Sequence, residues 1–146
     1  MKKVLALLLL SSLATPALAD ECALAIEGND AMQFNQQAMS VPATCKEVTV
    51  TLTHTGKLPV ANMGHNWVLA NTADYQAIAT AGMGAGVENN YLPKDDARIL
   101  AHTKLVGGGE STSVTFKTEG LAGKDLTFFC SFPGHFAMMK GTFKVG

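Results

Sequence analysis

The sequence predicts an all-β sandwich with one helical insertion, and three observations support this fold class. Residues 46–53 alternate apolar and polar side chains, with branched residues at most positions, which is typical of a half-buried strand. Several shorter segments share this character and are separated by glycine-containing turns, as in sandwiches and barrels. A single alanine-rich segment interrupts the strand-like pattern.

The first 19 residues are predicted to be a secretory signal peptide that is not part of the fold. Lys2 and Lys3 precede an apolar run that is far shorter than the roughly 20 residues a spanning helix needs. Ala17 and Ala19 are small residues at the two positions that a signal peptidase reads. Cys22 does not follow the small residues of a lipobox, so no membrane anchor is expected. We therefore expect one exported domain, residues 20–146.

The charge of this domain argues against nucleic acid as a partner. Without residues 1–19 the chain has nine basic and twelve acidic residues, and these are scattered rather than grouped by sign. Nucleic-acid binding would favour a basic stripe. No second apolar run is long enough to cross a membrane.

Seven strands follow from the alternation of side chains and from the turns between them. The predicted strands are residues 23–27, 46–53, 66–70, 98–103, 113–117, 126–129 and 142–145. Glycine-containing turns at 55–57, 107–109 and 120–123 separate several of them.

The helical insertion is predicted over about residues 72–86. Its alanine content favours helix, and Thr72 or Asp74 is suited to cap its start. Glycines at 82, 84 and 86 are expected to end or loosen it. This segment is an insertion between strands and not a second domain.

Three cysteines in an exported chain leave one thiol over after a pairing. Cys22 and Cys45 have no histidine or methionine nearby at ligand spacing, so we expect them to form a disulfide. Such a bridge would stabilise the fold by roughly 3–4 kcal/mol in the chain-entropy model. Cys130 is then the free thiol, and the histidine and methionine that follow it suggest that it binds a metal.

The segment after Cys130 carries metal-ligand chemistry. Cys130 is followed by His135 and then by Met139, with Pro133 and Gly134 forming a turn between them. A turn between adjacent strands brings these side chains together. A thiolate, two imidazoles and a long axial thioether form a blue-copper site, so a second histidine is required. His54, His65 and His102 are the candidates at this point.

Two other types of site are less consistent with these residues. A structural zinc site would recruit a fourth cysteine, histidine or carboxylate, and a thioether suits zinc poorly. A Cys–His nucleophile would need an orienting group, and only Asn66 is evident. Met138 is an alternative to Met139 as the sulfur ligand.

The ligand segments resemble those of the azurin family of cupredoxins. The resemblance extends over residues 20–146 and is carried by the segments Cys130-Ser-Phe-Pro-Gly-His135, Met139-Lys-Gly-Thr142, Met63-Gly-His-Asn-Trp67, Gly28-Asn-Asp30, Met32-Gln-Phe34 and Ala101-His-Thr-Lys-Leu105. Three residues separate His135 from Met139, whereas plastocyanins and pseudoazurins have one more. The resemblance implies a cupredoxin-like, eight-stranded Greek-key β-sandwich.

The resemblance also implies a complete ligand set for one type 1 copper ion. His65, Cys130 and His135 would be the equatorial ligands and Met139 the axial one. The Gly64 carbonyl would be a further weak contact. The choice of Met139 over Met138 rests on the Lys-Gly that follows it.

Further roles follow from the same resemblance. Asn66 would connect the two ligand loops, the Phe132 amide would donate to the Cys130 sulfur, and Trp67 would be buried in the core. Cys22–Cys45 matches the family disulfide. His54 and His102 are expected to be a buried hydrogen-bonded histidine and a surface histidine.

The resemblance further implies an apolar rim around His135, and such a surface suits weak docking of redox partners. Its residues would be Met32, Leu58, Met63, Phe132 and Pro133. Phe136 departs from the family pattern and could enlarge or cover this rim.

The expected activity is one-electron transfer by a monomer, not catalysis, and the resemblance implies that the exported protein is periplasmic. Small c-type cytochromes, a nitrite reductase, a peroxidase or an amine dehydrogenase are the partners that the resemblance implies. The alternatives are a copper store or carrier, which would be expected to have exposed exchangeable ligands, and a zinc-stabilised binding module, which Met139 disfavours.

Overall fold

A computed structural model describes residues 21–146, and the signal peptide predicted for residues 1–19 lies outside the described residues. Eight strands form two sheets, which confirms the predicted sandwich. The first sheet has the order β1 (Ala23–Gly28), β3 (Glu47–His54) and β6 (Ser111–Lys117). The second has the order β2 (Ala38–Val41), β8 (Lys140–Val145), β7 (Leu126–Phe129), β4 (Val68–Asn71) and β5 (Ile99–His102).

Each sheet contains one parallel pair of strands. Strand β1 runs parallel to β3 from the pair Ala23–Thr49 to the pair Gly28–His54, and β2 runs parallel to β8. The remaining pairs are antiparallel. As expected from its alternation, β3 buries every second side chain against the core. Its outward threonines form hydroxyl hydrogen bonds with β6, for example Thr51 Oγ1 with Ser113 Oγ at 2.9 Å.

The main core lies between the sheets around Trp67, which is fully buried as expected. Its ring packs against Phe116, Phe128 and Phe143 at centroid distances of 5.8–6.1 Å. The indole N–H has no hydrogen-bond partner among the described residues. The large apolar side chains of this core hold the two sheets together. They therefore also position the loops at the end of the sandwich where the candidate site lies.

The helical insertion is present but shorter than predicted. Helix α1 (Val60–Met63) is a single turn before the site, and α2 (Tyr75–Gly82) lies within the predicted insertion. Asp74 is at the N-cap position without a side-chain capping bond. Residues 83–86 leave the helix because glycine alternates with other residues there, and Val87–Asn89 forms a 3-10 turn.

A second, smaller core lies beneath α2. Tyr75 and Ile78 of the helix pack on Phe129 and Leu92. Strand β7 therefore has Phe128 in the main core and Phe129 in the second one, which explains why both faces of this strand are buried. No helix among residues 21–146 has the length and apolar character needed to span a membrane.

Candidate metal centre

The site forms where the ends of several strands meet. His65 lies between α1 and β4, while Cys130 follows β7 directly. His135 opens a 3-10 turn, His135–Ala137, before β8. Their donor atoms lie within 4.8 Å of one another, and all three residues are buried. The structure thus brings together three of the residues predicted from the sequence.

The Cys130 sulfur is at the centre of this group. It lies 3.9 Å from His65 Nδ1 and 3.7 Å from His135 Nδ1. The Gly64 carbonyl oxygen is 3.8 Å from the same sulfur. One thiol, two imidazole nitrogens and one carbonyl therefore face a common point.

The imidazole of His65 is held in one tautomer. Its Nε2–H donates to the Asn29 carbonyl at 2.8 Å, since a carbonyl can only accept. Its Nδ1, on the side of Cys130, therefore carries a lone pair. Such a hydrogen bond on the outer nitrogen is typical of metal-binding histidines.

Burial keeps both histidines neutral. Desolvation lowers the pKa of His65. Desolvation also lowers the pKa of His135 to about 4, with smaller contributions from the nearby His65 and His54. Near pH 7 both rings can thus offer an unprotonated nitrogen.

The Cys130 thiol, in contrast, keeps its proton in the absence of a cation. Complete burial raises its pKa to about 12, and hydrogen bonds from the backbone amides of Asn66 and Phe132 lower it in part. A metal ion deprotonates a coordinating thiol outright. The two amides, of which only that of Phe132 was predicted, are already directed at the sulfur.

Met139 is in the interior beside this group, whereas Met138 is 66% exposed. The Met139 methyl lies 3.3 Å from where a Cβ on Gly28 would be, and the His65 ring is at 2.7 Å from the same position. The backbone of Met139 also accepts from the Cys130 amide at 3.0 Å. These positions favour Met139 over Met138 as the sulfur ligand.

Asn66 connects the two ligand loops. Its amide nitrogen donates to Ser131 Oγ at 2.8 Å, and its carbonyl oxygen accepts from the Ser131 amide at 2.8 Å. The same nitrogen donates to the Asn90 carbonyl at 3.1 Å. Ser131 and Asn90 were not identified from the sequence, because their partners are 65 and 24 residues from them along the chain.

The other two histidines are not arranged as ligands. His54 stacks on His65 at 4.2 Å. Its Nε2 donates to the Met63 carbonyl, and its Nδ1 accepts from the Gly56 amide. His102 is exposed, and its Nδ1 donates to the Thr103 carbonyl.

The rim predicted around His135 has mixed exposure. Met32 and Leu58 are exposed, while Met63, Phe132 and Pro133 are half-buried. The Phe132 ring lies 4.5 Å from that of His135. Phe136 is half-buried and packs against the core beneath α2.

The residues present fit a copper ion better than the alternatives. The cluster offers a thiol and two imidazoles with a buried thioether beside them, which is the donor set of a type 1 copper site. None of the described carboxylates takes part in the cluster.

Comparison with known proteins agrees with this donor set. Residues 20–146 match the model of the family described as copper binding proteins, plastocyanin/azurin family. The azurin of Bordetella pertussis is 56% identical over 94% of this chain and 92% of its own length. The azurin of Pseudomonas aeruginosa is 52% identical over 97% of each chain.

A solved structure supports the fold independently. The azurin Az-iso2 from the obligate methylotroph Methylomonas sp. strain J superposes with a TM-score of 0.82. It is 45% identical, and the match covers 86% of this chain and 98% of that one. The chain therefore belongs to the copper-binding plastocyanin/azurin family, and it is an electron carrier with a type 1 copper cofactor rather than an enzyme.

Proposed function

We propose that copper is held by the Cys130 thiolate and by Nδ1 of His65 and of His135. Met139 would contribute a weak sulfur ligand, and the Gly64 carbonyl would be a further weak contact. The observation that carries this assignment is the convergence of the three donor atoms within 4.8 Å in a buried position. The single tautomer of His65 supports it, because the Nδ1 lone pair is on the side of the sulfur.

Copper held by these residues would supply one-electron chemistry through its Cu(II) and Cu(I) states. The protein's contribution is a set of ligands whose positions change little between these states. The disposition of Asn66 suits this role, since three hydrogen bonds join its side chain to Ser131 and Asn90. Ligands that barely move make electron exchange fast.

The two backbone amides at the Cys130 sulfur are proposed to tune the reduction potential. The amides of Asn66 and Phe132 both donate to this sulfur. Donors of this kind draw charge from a thiolate and raise the potential of the metal. The buried surroundings of Cys130 act together with them.

The rim around His135 is proposed as the surface that docks redox partners. Met32 and Leu58 are exposed apolar side chains on this rim, and apolar surfaces of this kind suit brief contacts. We propose that the protein acts as a monomer in the periplasm after loss of residues 1–19. Small c-type cytochromes and a nitrite reductase, peroxidase or amine dehydrogenase are the proposed partners, with no role for nucleic acid.

The visible spectrum of the copper-loaded protein tests the ligand assignment. We expect an intense thiolate-to-copper band that disappears on reduction and is absent in Cys130→Ser. A wild-type protein that stays colourless with Cu(II) would overturn the proposal.

Two matched pairs of variants test the other ligands. Met139→Leu should alter the band and the reduction potential, while Met138→Leu should leave both as they are. His65→Gln should abolish the band, while His102→Gln should retain it. Equal effects within either pair would contradict the assignment of that ligand.

A kinetic measurement separates an electron carrier from a copper store. The reduced protein is mixed with an oxidised small c-type cytochrome in a stopped-flow instrument, and the blue band is followed. We expect the band to appear as the cytochrome is reduced, with copper retained by the protein. Release of copper without reduction of the cytochrome would favour a store.

A further inference from the structure

The turn at residues 90–91 lies outside both ligand loops and has an unusual backbone. Asn90 follows the 3-10 turn and has φ of 54°, and Tyr91 has φ of 50°. Asparagine tolerates this left-handed region better than most residues, but a bulky residue such as tyrosine rarely adopts it. Two such residues in succession persist only where the surrounding structure holds them.

Asn90 contacts three separate segments of the chain. Its carbonyl accepts from Asn66 Nδ2 at 3.1 Å and from Ser131 Oγ at 2.7 Å. Its side-chain oxygen accepts from the Leu105 amide at 2.8 Å. Asn66 follows one proposed copper ligand and Ser131 follows another. The left-handed backbone of Asn90 directs its carbonyl towards both.

Tyr91 supports the same region from the other side. Its carbonyl lies against Gly82 of α2, where a Cβ would overlap it. Its ring packs edge-on against Phe132 at 5.2 Å, and the Phe132 ring contacts that of His135. The turn is thus held by α2 and in turn contacts the loop that carries His135.

We propose that Asn90 is a positioning residue of the copper centre. Its left-handed backbone holds its carbonyl between Asn66 and Ser131 and so sets the spacing of the His65 and Cys130 loops before the metal binds. This inference rests on the proposed function for the identity of the ligands. The bracing of the two loops by Asn90 can be measured in the metal-free protein.

Three substitutions of Asn90 separate its backbone from its side chain. Asn90→Ala disfavours the left-handed conformation and removes the side-chain oxygen. Asn90→Gly keeps the conformation accessible but removes that oxygen. Asn90→Asp keeps both. Asp95→Ala is the matched control, because Asp95 has the same φ of 54°, is exposed, and makes no side-chain hydrogen bond to any residue in 21–146.

The first measurement is amide hydrogen exchange in the metal-free protein, with the Phe128 amide of β7 as the internal reference. The Ser131 amide donates to the Asn66 side chain, which in turn donates to the Asn90 carbonyl. In Asn90→Ala this amide should therefore exchange about tenfold faster relative to Phe128, as expected for the loss of about one hydrogen bond. Asn90→Gly should accelerate the Leu105 amide alone. Asn90→Asp and Asp95→Ala should leave both ratios unchanged.

The second measurement is the visible spectrum and reduction potential of the copper-loaded variants. Both should shift in Asn90→Ala and stay near wild type in Asn90→Asp and Asp95→Ala. Unchanged Ser131 exchange in Asn90→Ala, or an equal change in Asp95→Ala, would overturn the inference. If Asn90→Ala does not fold, Asn90→Gly must still free the Leu105 amide and Asn90→Asp must not.

Failure of the proposed function would be recognised separately. A wild-type protein without a blue band would overturn the copper assignment while the exchange data still decide whether Asn90 braces the two loops. A blue wild-type protein with no exchange difference among the variants would overturn the role of Asn90 alone.

Discussion

Gly28 illustrates how one missing side chain shapes the metal centre. It is the last residue of β1 and pairs with His54. A Cβ there would lie 2.7 Å from the His65 ring and 3.3 Å from the Met139 methyl. Any larger residue would therefore displace two of the proposed ligands. The absence of a Cβ at this position allows β1 to close against the site.

Gly28→Ala is expected to distort the copper site and to destabilise the fold by about 1–3 kcal/mol, the usual cost of overpacking. The visible spectrum should change, and the denaturation midpoint should fall. Gly84→Ala is the control, because a Cβ at Gly84 meets no atom within 4 Å. A Gly28→Ala protein with the wild-type spectrum would contradict the predicted displacement of His65 and Met139.

The ion pair of Asp96 and Arg98 gives a pH-dependent prediction. Arg98 donates to Asp96 through its side chain at 2.6 and 2.9 Å, and this contact together with the Arg98 backbone amide lowers the pKa of Asp96 to about 2. The pKa is depressed in the folded state. The stabilisation is therefore present above pH 4 and is lost as the pH falls towards 2.

Arg98→Ala should raise the pKa of Asp96 towards its ordinary value near 3.9. The rise should be incomplete, since the backbone amide of residue 98 still donates to Asp96 at 3.0 Å. NMR titration of the Asp96 side-chain carboxyl carbon measures this pKa, with Lys94→Ala as the control. An unchanged Asp96 titration in Arg98→Ala would contradict the assigned cause.

At the residue scale, local spacing predicted more than long-range contacts did. Cys130, His135 and Met139 lie within ten residues, so soft-ligand chemistry predicted them as ligands. His65 needed the family resemblance, because nothing local distinguishes it from His54. The role of Ser131 arises only from packing between segments distant in the sequence.

Among the elements, α2 and the turn that follows it depend on one close approach. The Tyr91 carbonyl occupies the place where a side chain at Gly82 would begin. Gly82 is the last residue of α2 and is buried. The helix and the turn can therefore touch only while residue 82 is glycine.

Gly82→Ala should destabilise the protein by about 1–3 kcal/mol, although alanine is the better helix former. Thermal unfolding measures the effect, and Gly84→Ala again provides the control. A Gly82→Ala protein as stable as wild type would show that the Tyr91 backbone can shift at no cost.

Strands with a clear local pattern were predicted, including the four-residue β7, whereas β2 and α1 were not. Strand β3 has eight residues in strict alternation and was found from the sequence within one residue at each end. Strand β2 has only four residues and gains its stability from parallel pairing with β8, a partner over 100 residues away. Helix α1 has four residues, too few for a helical period to appear.

For the whole molecule, the disulfide and the metal centre lie at opposite ends of the first sheet. Cys22–Cys45 joins the segments just before β1 and β3, and these parallel strands end at Gly28 and His54 beside the site. The disulfide should therefore affect global stability without affecting the ligands.

The double variant Cys22→Ser/Cys45→Ser should lose about 3–4 kcal/mol of stability, from the closure of a loop with a separation of 23 residues. Its blue band should be that of the wild type. Calorimetry and the visible spectrum measure the two effects. A shifted band would show that the sheet transmits strain along its length.

The burial of Cys130 has a consequence for experiments on the metal-free chain. With Cys22 and Cys45 paired, Cys130 is the only thiol in the sequence, and it is inaccessible in the folded state. A thiol-alkylating reagent can reach it only when the protein opens. The rate of labelling at saturating reagent then measures the rate of opening without an added probe. A bound metal ion should slow the labelling by masking the sulfur.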